Sequence, residues 1–448
     1  MRIVIIGGGS AQWTPTIVRD LAVTDGLQGC HIVLEDVEPA HLDGTLPMAR
    51  RILAQAGTGC TVEATTDQRA ALDGADDVIL TISTGGLDTM RHDLEIPACY
   101  GVVQSVGDTV GPGGISRAWR SIPVVVGIAR DIEQLCPGAW LINYTNPMSA
   151  LCRAVAKTAR IRTIGLCHEL YGCLGLLREI FGVESNDRFT WRVAGINHLI
   201  FLVELALDGE DAFPRLHRLV REHLDHRRNT LPPDDPFYAF QDRALLKFEL
   251  FEEFGVLPAA GDRHTAEFFP HFLTEDNDRG RRYGVELTTI AHRAALEKDA
   301  RARVVRIARG EETISLAPSQ EAASRLVAAL AQGYDYTDVM NRPNAGQIAN
   351  LPRDAIVETM ATVRNRAIIP DQVGDVSPAI RALLERHIRV QEMTVEAALT
   401  GDRDLALQAL LLDPLVHDHA SGRRMFDELL AANADYLPQF HGPFRGVR

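Results

Sequence analysis

The 448-residue sequence predicts an α/β protein: a parallel sheet covered by helices on both faces over the first two hundred residues, then a mixed α/β part. Three observations point there. The chain opens on a β-branched run, Arg2–Ile6, that flows into Gly7-Gly8-Gly9-Ser10. Short apolar runs then alternate with helical stretches, the pattern of strands buried on both faces. From about Trp191 the rhythm shifts to longer helices, turn clusters and fewer strands.

Strands are expected at Arg2–Ile6, His31–Leu34, Asp77–Ser83, Trp140–Asn143 and Thr163–Leu166. Helical patterns fall between them at Thr14–Ala22, Ile115–Glu133 and Ser149–Lys157. Such alternation builds a Rossmann-type parallel sheet. The domain change is placed near residue 195, giving one domain over 1–195 and a second over 196–448, with the polar stretch Arg227–Asp235 early in the second. No internal repeat or low-complexity tract interrupts the chain.

Composition narrows the function. Lys and Arg number 46 against 60 Asp and Glu, a net charge of −14, with 46% hydrophobic and 24% charged residues. Those proportions are globular and exclude a disordered chain. The acidic balance argues against nucleic acid or a membrane surface as partner, because neutralising phosphates takes clustered Lys and Arg. A local Arg pair can still hold an anionic small molecule. The longest apolar stretch, Ile122–Ala129, is too short to span a bilayer. Seven cysteines, Cys30 to Cys173, are odd in number and scattered, so no disulfide framework is expected and a cytoplasmic, reducing address follows.

Four motifs carry chemistry. Gly7, Gly8, Gly9 and Ser10 precede a helix opening near Thr14-Pro15, where bare backbone and helix N–H groups suit a pyrophosphate. Asp36 closes the second strand, where a carboxylate binds the ribose hydroxyls of NAD; Gln12 stands where the usual fingerprint has a third glycine. Asn143-Tyr144-Thr145-Asn146-Pro147-Met148 ends another strand, placing Asn146 for a sugar hydroxyl or the cofactor, although an Asn-Pro turn explains it too. Gly165-Leu166-Cys167-His168-Glu169 and Gly195-Ile196-Asn197-His198 complete the set. A Cys thiolate with a neutral imidazole can hold Mn or Fe and leave positions open for substrate, whereas a lone buried Cys or His is ordinarily a core residue. His417-Asp418-His419 looks like a metal pair but reads better as the cap of a helix over Gly422–Ala432. The Cys167–Cys173 spacing is not that of a redox pair.

Taken together and in order, these segments resemble glycoside hydrolase family 4. Gly111-Pro112-Gly113-Gly114, Gly255-Val256-Leu257-Pro258 before Gly261-Asp262, and Asn350-Leu351-Pro352 extend the resemblance over nearly the whole chain. It implies a lactate/malate dehydrogenase-like architecture and a glycosidase using NAD and Mn or another divalent metal, an exception to the two-carboxylate scheme. In that chemistry a sugar C3 is oxidised, the C2 proton is removed, the aglycone is eliminated, and water and hydride return. The resemblance makes Cys167 and His198 the metal ligands. Asn146 and Asn197 then hold sugar hydroxyls, Asp108 lies near cofactor and metal, and Asp262 is the C2 base, with a plain turn residue as the alternative for Asp262. A homodimer or homotetramer is expected.

The resemblance also bears on the substrate, a small sugar glycoside. His168 after Cys167 argues against a 6-phosphosugar. Glu169 resembles the α-glucosidase branch, whereas Ala259-Ala260-Gly261-Asp262-Arg263-His264 resembles the α-galacturonidases. Arg91, Arg263 and His264 are candidates to face a hexuronate carboxylate. The expected activity is hydrolysis of a non-phosphorylated α-glucoside or α-hexuronide. A lactate/malate-type dehydrogenase and a non-catalytic NAD-binding sugar sensor are the rivals.

Overall fold

The computed structural model describes residues 1–229 and 242–441. Six parallel strands form its first half: β1 (Arg2–Ile6), β2 (His31–Glu35), β3 (Thr61–Thr65), β4 (Asp77–Leu80), β5 (Trp140–Asn143) and β6 (Arg162–Gly165). They lie in the order β3-β2-β1-β4-β5-β6, the doubly wound order that leaves a crevice at the carboxyl ends of β1 and β4. The crossovers carry α1 (Thr14–Val23), α2 (Pro39–Ala56), α3 (Gln68–Leu72), α4 (Gly86–Cys99), α5 (Gly111–Leu135) and α6 (Met148–Thr158). The five strands expected from apolar runs all form. The strand β3 had no such signal: it is the sheet edge, Thr-Val-Glu-Ala-Thr, with every residue partly or fully exposed.

Beyond residue 183 the expectation of fewer strands is corrected. Seven form: β7 (Phe189–Ile196), β8 (Leu199–Leu207), β9 (Glu210–Asp211), β10 (Leu257–Pro258), β11 (Tyr336–Pro343), β12 (Ile356–Arg364) and β13 (Ala367–Pro370). They are antiparallel, and β11 pairs with β6 through Asn341 opposite Gly165, so one 13-stranded sheet runs through the described residues. Buried Asp338, Asn341, Glu358 and Thr359 broke the apolar signal in β11 and β12. Helices α7 (Glu169–Phe181) and α8 (Phe213–Asn229) cover this half. Of the polar stretch Arg227–Asp235, residues 230–235 lie outside the described residues. Asp418 does cap its helix, His419–Ala432, accepting from Ser421 N at 2.7 Å. Among the described residues no helix is long and apolar enough to cross a membrane.

Glycine sets the start of α5. Its first turn is Gly111-Pro112-Gly113-Gly114, four residues before the expected start, and a Cβ on Gly114 would lie 2.4 Å from the carbonyl carbon of Thr109. The same helix buries Trp119 edge-on to Phe426 and Phe440, with ring centroids 5.7 and 5.6 Å away. The next residue, Arg120, is 1% exposed and forks onto Asp93, itself fully buried, while its Nε donates to Thr84 O at 3.0 Å. Truncation to Ala would strand the Asp93 charge in the core. We expect Arg120→Ala to lower unfolding free energy by about 3–5 kcal/mol in urea titrations.

A second buried group links folding to pH. His387 is 1% exposed, lies edge-on to Phe268, and burial together with Arg386 pushes its pKa down to about 3. In the unfolded chain it protonates near the ordinary value of about 6.5. Above that pH it is neutral in both states; below it, only the unfolded chain takes up the proton, so stability falls as pH drops toward 3. Removing the imidazole should flatten this slope by about 1.4 kcal/mol per pH unit, read as the difference in urea midpoints between His387→Leu and the parent from pH 7 to 5.

Candidate active site

The glycines after β1 are required by crowding. Gly7 has φ +87°, and a Cβ there would lie 2.3 Å from Thr81 O; one on Gly8 would lie 2.8 Å from Leu34 Cα. The loop can therefore thread between β2 and β4 only without side chains. Its Gly7 and Gly8 N–H groups donate to Glu35 O at 2.9 and 2.7 Å, and Gly9 N–H donates to Asp36 Oδ2 at 3.0 Å. Ser10 Oγ accepts from Trp13 N at 3.2 Å, and α1 begins at Thr14. This bare cradle at a helix N-terminus, with a half-buried carboxylate at the end of β2, fits a dinucleotide.

The crevice beside it gathers Asp108, His198 and His264, whose ligating atoms lie within 4.8 Å of one another. Asp108 comes from the loop before α5. The imidazole of His198 comes from the two-residue turn between β7 and β8, where Ile196 faces Leu199 and His198 takes φ +65°. That left-handed backbone is uncommon for a residue with a side chain and marks a constrained position. Thr109 orients the ring: its hydroxyl donates to Asp108 Oδ1 at 2.8 Å and lies 2.7 Å from His198 Nδ1. With its one hydrogen spent on Asp108, Thr109 accepts from His198 Nδ1–H, which leaves the Nε2 lone pair free.

Electrostatics prepares two of these groups. Burial and the neighbouring His264, stacked at 3.7 Å between centroids, push the His198 pKa down to about 3, so the ring is neutral at ordinary pH. Burial works against ionisation of Asp108, but His264, His198, Arg117 and Arg293 outweigh it and hold the carboxyl well below its usual range. Two imidazoles and one carboxylate with open positions are a donor set for a divalent transition metal, and these residues fit one.

Other residues singled out in the sequence fall around this set. The Asn197 side chain is fully buried with only the Cys167 thiol beside its amide, and the Asn146 amide oxygen is buried and unpartnered. Such an unpartnered atom costs about 1–3 kcal/mol unless a ligand or water meets it. The Glu169 carboxylate accepts from Gly261 N–H, and His264 and His198 outweigh burial to lower its pKa to about 2. His168 turns aside, with Nδ1 3.0 Å from Glu321. Cys167 lies outside the 4.8 Å set and packs near Met148, Cys152 and Ile356; burial, with Glu358 and Glu169 nearby, pushes its thiol well up. Asp262 is buried and accepts from Leu246 N and Lys247 N at 3.0 and 3.1 Å, holding the first turn of the helix Leu245–Phe254.

Two arginines are committed elsewhere. Arg263 donates to Glu286 O at 2.9 Å and Ser105 O at 3.2 Å and also bonds Thr288. Arg91 pairs with Glu95 one turn along α4 at 3.2 Å, with its side chain half exposed. Sequence reasoning missed Thr109, Arg117, Arg293 and Glu267. The Glu267 carboxylate, pushed up to about 8 by burial, accepts from Val106 and Gly107 N–H at 2.8 Å each and holds the Asp108 loop. A single Thr, Arg or Glu has no local signature for such work; the only cue was Thr109 standing directly after Asp108.

Comparison with known proteins identifies the family. The family model described as family 4 glycosyl hydrolase matches residues 2–183, and its C-terminal-domain model matches 193–416. An alpha-galacturonidase of Lachnoclostridium phytofermentans is 35% identical, covering 98% of this chain and 97% of its own. An alpha-galactosidase of Bacillus subtilis is 32% identical over 98% and 99%. The crystal structure of lplD from Bacillus subtilis superimposes with a TM-score of 0.89 at 33% identity, covering 96% of this chain and 99% of its own. A 6-phospho-alpha-glucosidase from gut microorganisms, solved with NAD and Mn2+, has a TM-score of 0.81 at 20% identity over 98% and 99%. A malate dehydrogenase from Plasmodium falciparum, at 12% identity and a TM-score of 0.51 over 91% and 99%, shares the fold only. The chain belongs to glycoside hydrolase family 4 and is a glycosidase.

Proposed function

We propose that this glycosidase hydrolyses a non-phosphorylated α-glycoside with NAD and a divalent metal, and that the substrate is an α-hexuronide. The observation that carries the reading is the convergence of Asp108, buried His198 and His264 in the crevice, with the buried Asn197 and the unpartnered Asn146 oxygen as further site residues. When bound, NAD+ supplies a reversible hydride acceptor and the cation supplies positive charge beside the sugar oxygens.

The chain's own residues do the rest. Gly7 to Ser10 and Asp36 would hold the dinucleotide, and Asp108, His198 and His264 would hold the cation, with Cys167 as a further ligand. Asn146 and Asn197 bind sugar hydroxyls. Asp262, held by two N–H groups and pushed up by burial and Asp242, takes the C2 proton. A uronate is favoured by charge: Arg117, Arg263 and Arg293 all act on Asp108 or on one another, whereas the neighbouring Glu267 is held near 8. The engaged donors of Arg263 favour a neutral α-hexoside as the second reading.

A panel of p-nitrophenyl α-galacturonide, α-glucuronide, α-glucoside and α-galactoside, with NAD+, Mn2+ and a reductant, decides between them. Cleavage of an α-hexuronide is expected, without accumulation of NADH; activity only on β-linked or 6-phosphorylated sugars would overturn the assignment. His264→Ala should weaken Mn2+ binding about 10- to 100-fold by electron spin resonance, and Cys167→Ser with unchanged affinity would remove the thiol from the ligand set. Asp262→Asn keeps an acceptor for the helix and should cut turnover at least 100-fold with little change in Tm, on the order expected of a lost base. Retained turnover with a lowered Tm would make Asp262 a structural cap.

A further inference from the structure

Two matched dipeptides stand at the amino ends of neighbouring strands, on the side of the sheet away from the crevice. Gly29-Cys30 leads directly into β2 and Gly59-Cys60 directly into β3. Both glycines take positive φ, +73° and +75°, and a Cβ on Gly59 would lie 4.0 Å from Gly29 Cα, so the two turns nest against each other. Gly29 N–H donates to Thr58 O at 3.1 Å and Thr61 N–H to Cys30 O at 3.0 Å. The first paired residues are His31 and Thr61, so the cysteines face each other one step before the ladder begins. Neighbouring strands lie about 4.8 Å apart, inside the Cα spacing that a disulfide spans. The sulfurs are already 3.4 Å apart, with Thr58 Oγ1 3.4 Å and Leu27 O 3.5 Å from Cys60 Sγ.

We propose that Cys30 and Cys60 are a modification site: a dithiol that closes to a disulfide across β2 and β3 when the chain meets a small-molecule disulfide of the glutathione class. Cys60, the partly exposed member, attacks one sulfur of the oxidant; that S–S bond breaks, one thiol leaves, and a mixed disulfide forms on Cys60. Cys30, 1% exposed, then attacks Cys60 Sγ and expels the second small thiol. Two protein thiols are oxidised, one disulfide is reduced to two thiols, and the two protein protons leave with them. Burial and Cys60 hold the Cys30 thiol up to about 12, which assigns the first attack to Cys60. The bridge would clamp β3, the sheet edge, to β2. Its distance from the carboxyl ends of the strands leaves hydrolysis unaffected.

The test uses the full chain, reduced and then equilibrated with oxidised glutathione, with thiols counted in denaturant and peptides mapped by mass. Five of the seven cysteines should remain titratable, a Cys30–Cys60 linked peptide should appear, and Tm should rise by several degrees over the reduced protein. Dithiothreitol should reverse both changes. Cys30→Ser and Cys60→Ser should each keep six titratable thiols without the linked peptide, apart from a glutathione adduct on whichever cysteine remains. Seven thiols surviving oxidation, a stable glutathione adduct on Cys60 in the parent, or a link between other cysteines would each overturn the proposal, and none depends on a variant folding.

Discussion

The site depends on how closely β11 can approach β6. The parallel and antiparallel halves meet through the pairing of Asn341 with Gly165, and a Cβ on Gly165 would lie 2.6 Å from Met148 Sδ and 3.0 Å from Asn341 Cβ. A side chain there would push the second half of the sheet away from the first. The effect would be transmitted through β12 to β7, because Glu358 and Thr359 of β12 pair with Gly195 and Ala194. The turn carrying Asn197 and His198 ends that same strand. Gly195 is equally constrained, since a Cβ there would lie 2.2 Å from Leu199 O. Two bare α-carbons thus bring a hairpin from the second half to the crevice of the first.

Within that crevice, burial and charge act in opposite directions on different residues. Low polarity keeps His198 neutral and Glu267 protonated near neutral pH, whereas their polar and charged surroundings hold the carboxyls of Asp108 and Glu169 below the usual range. The outcome is a free His198 lone pair beside anionic oxygens, the state a cation needs and the one water would not impose on its own. Thr109 links two of the three groups by hydrogen bonds, so ring orientation and carboxylate position are set together.

Legibility in the sequence followed burial pattern and chemical type. Strands buried on both faces were readable as apolar runs, and the glycine loop was readable because crowding leaves one residue type to satisfy it. The edge strand β3 and the polar strands β11 and β12 were not, since exposure in one case and buried Asp, Asn and Glu in the other erase periodicity. Of the site, Asp108, His198, His264, Asn146, Asn197 and Glu169 were singled out by motif. The partners that orient or perturb them, Thr109, Glu267, Arg117 and Arg293, carry no motif of their own. Arg91 was chosen for its chemistry alone and is committed to Glu95.

The sequence by itself determined the parallel nucleotide-type sheet and the family, because these rest on local patterning and on residues with no substitute. Only the tertiary structure decided which side chains meet. Asp108, His198 and His264 are separated by 90 and 66 positions, and their convergence follows from the β6–β11 junction and the β7–β8 turn. It likewise decided that Arg263 is held by Glu286, Ser105 and Thr288, and that the Asp262 carboxylate caps a helix. It also separated the cysteines, which the sequence presented as a scattered set. Contact across a sheet is fixed by register and close approach, and neither is written in the local order of residues.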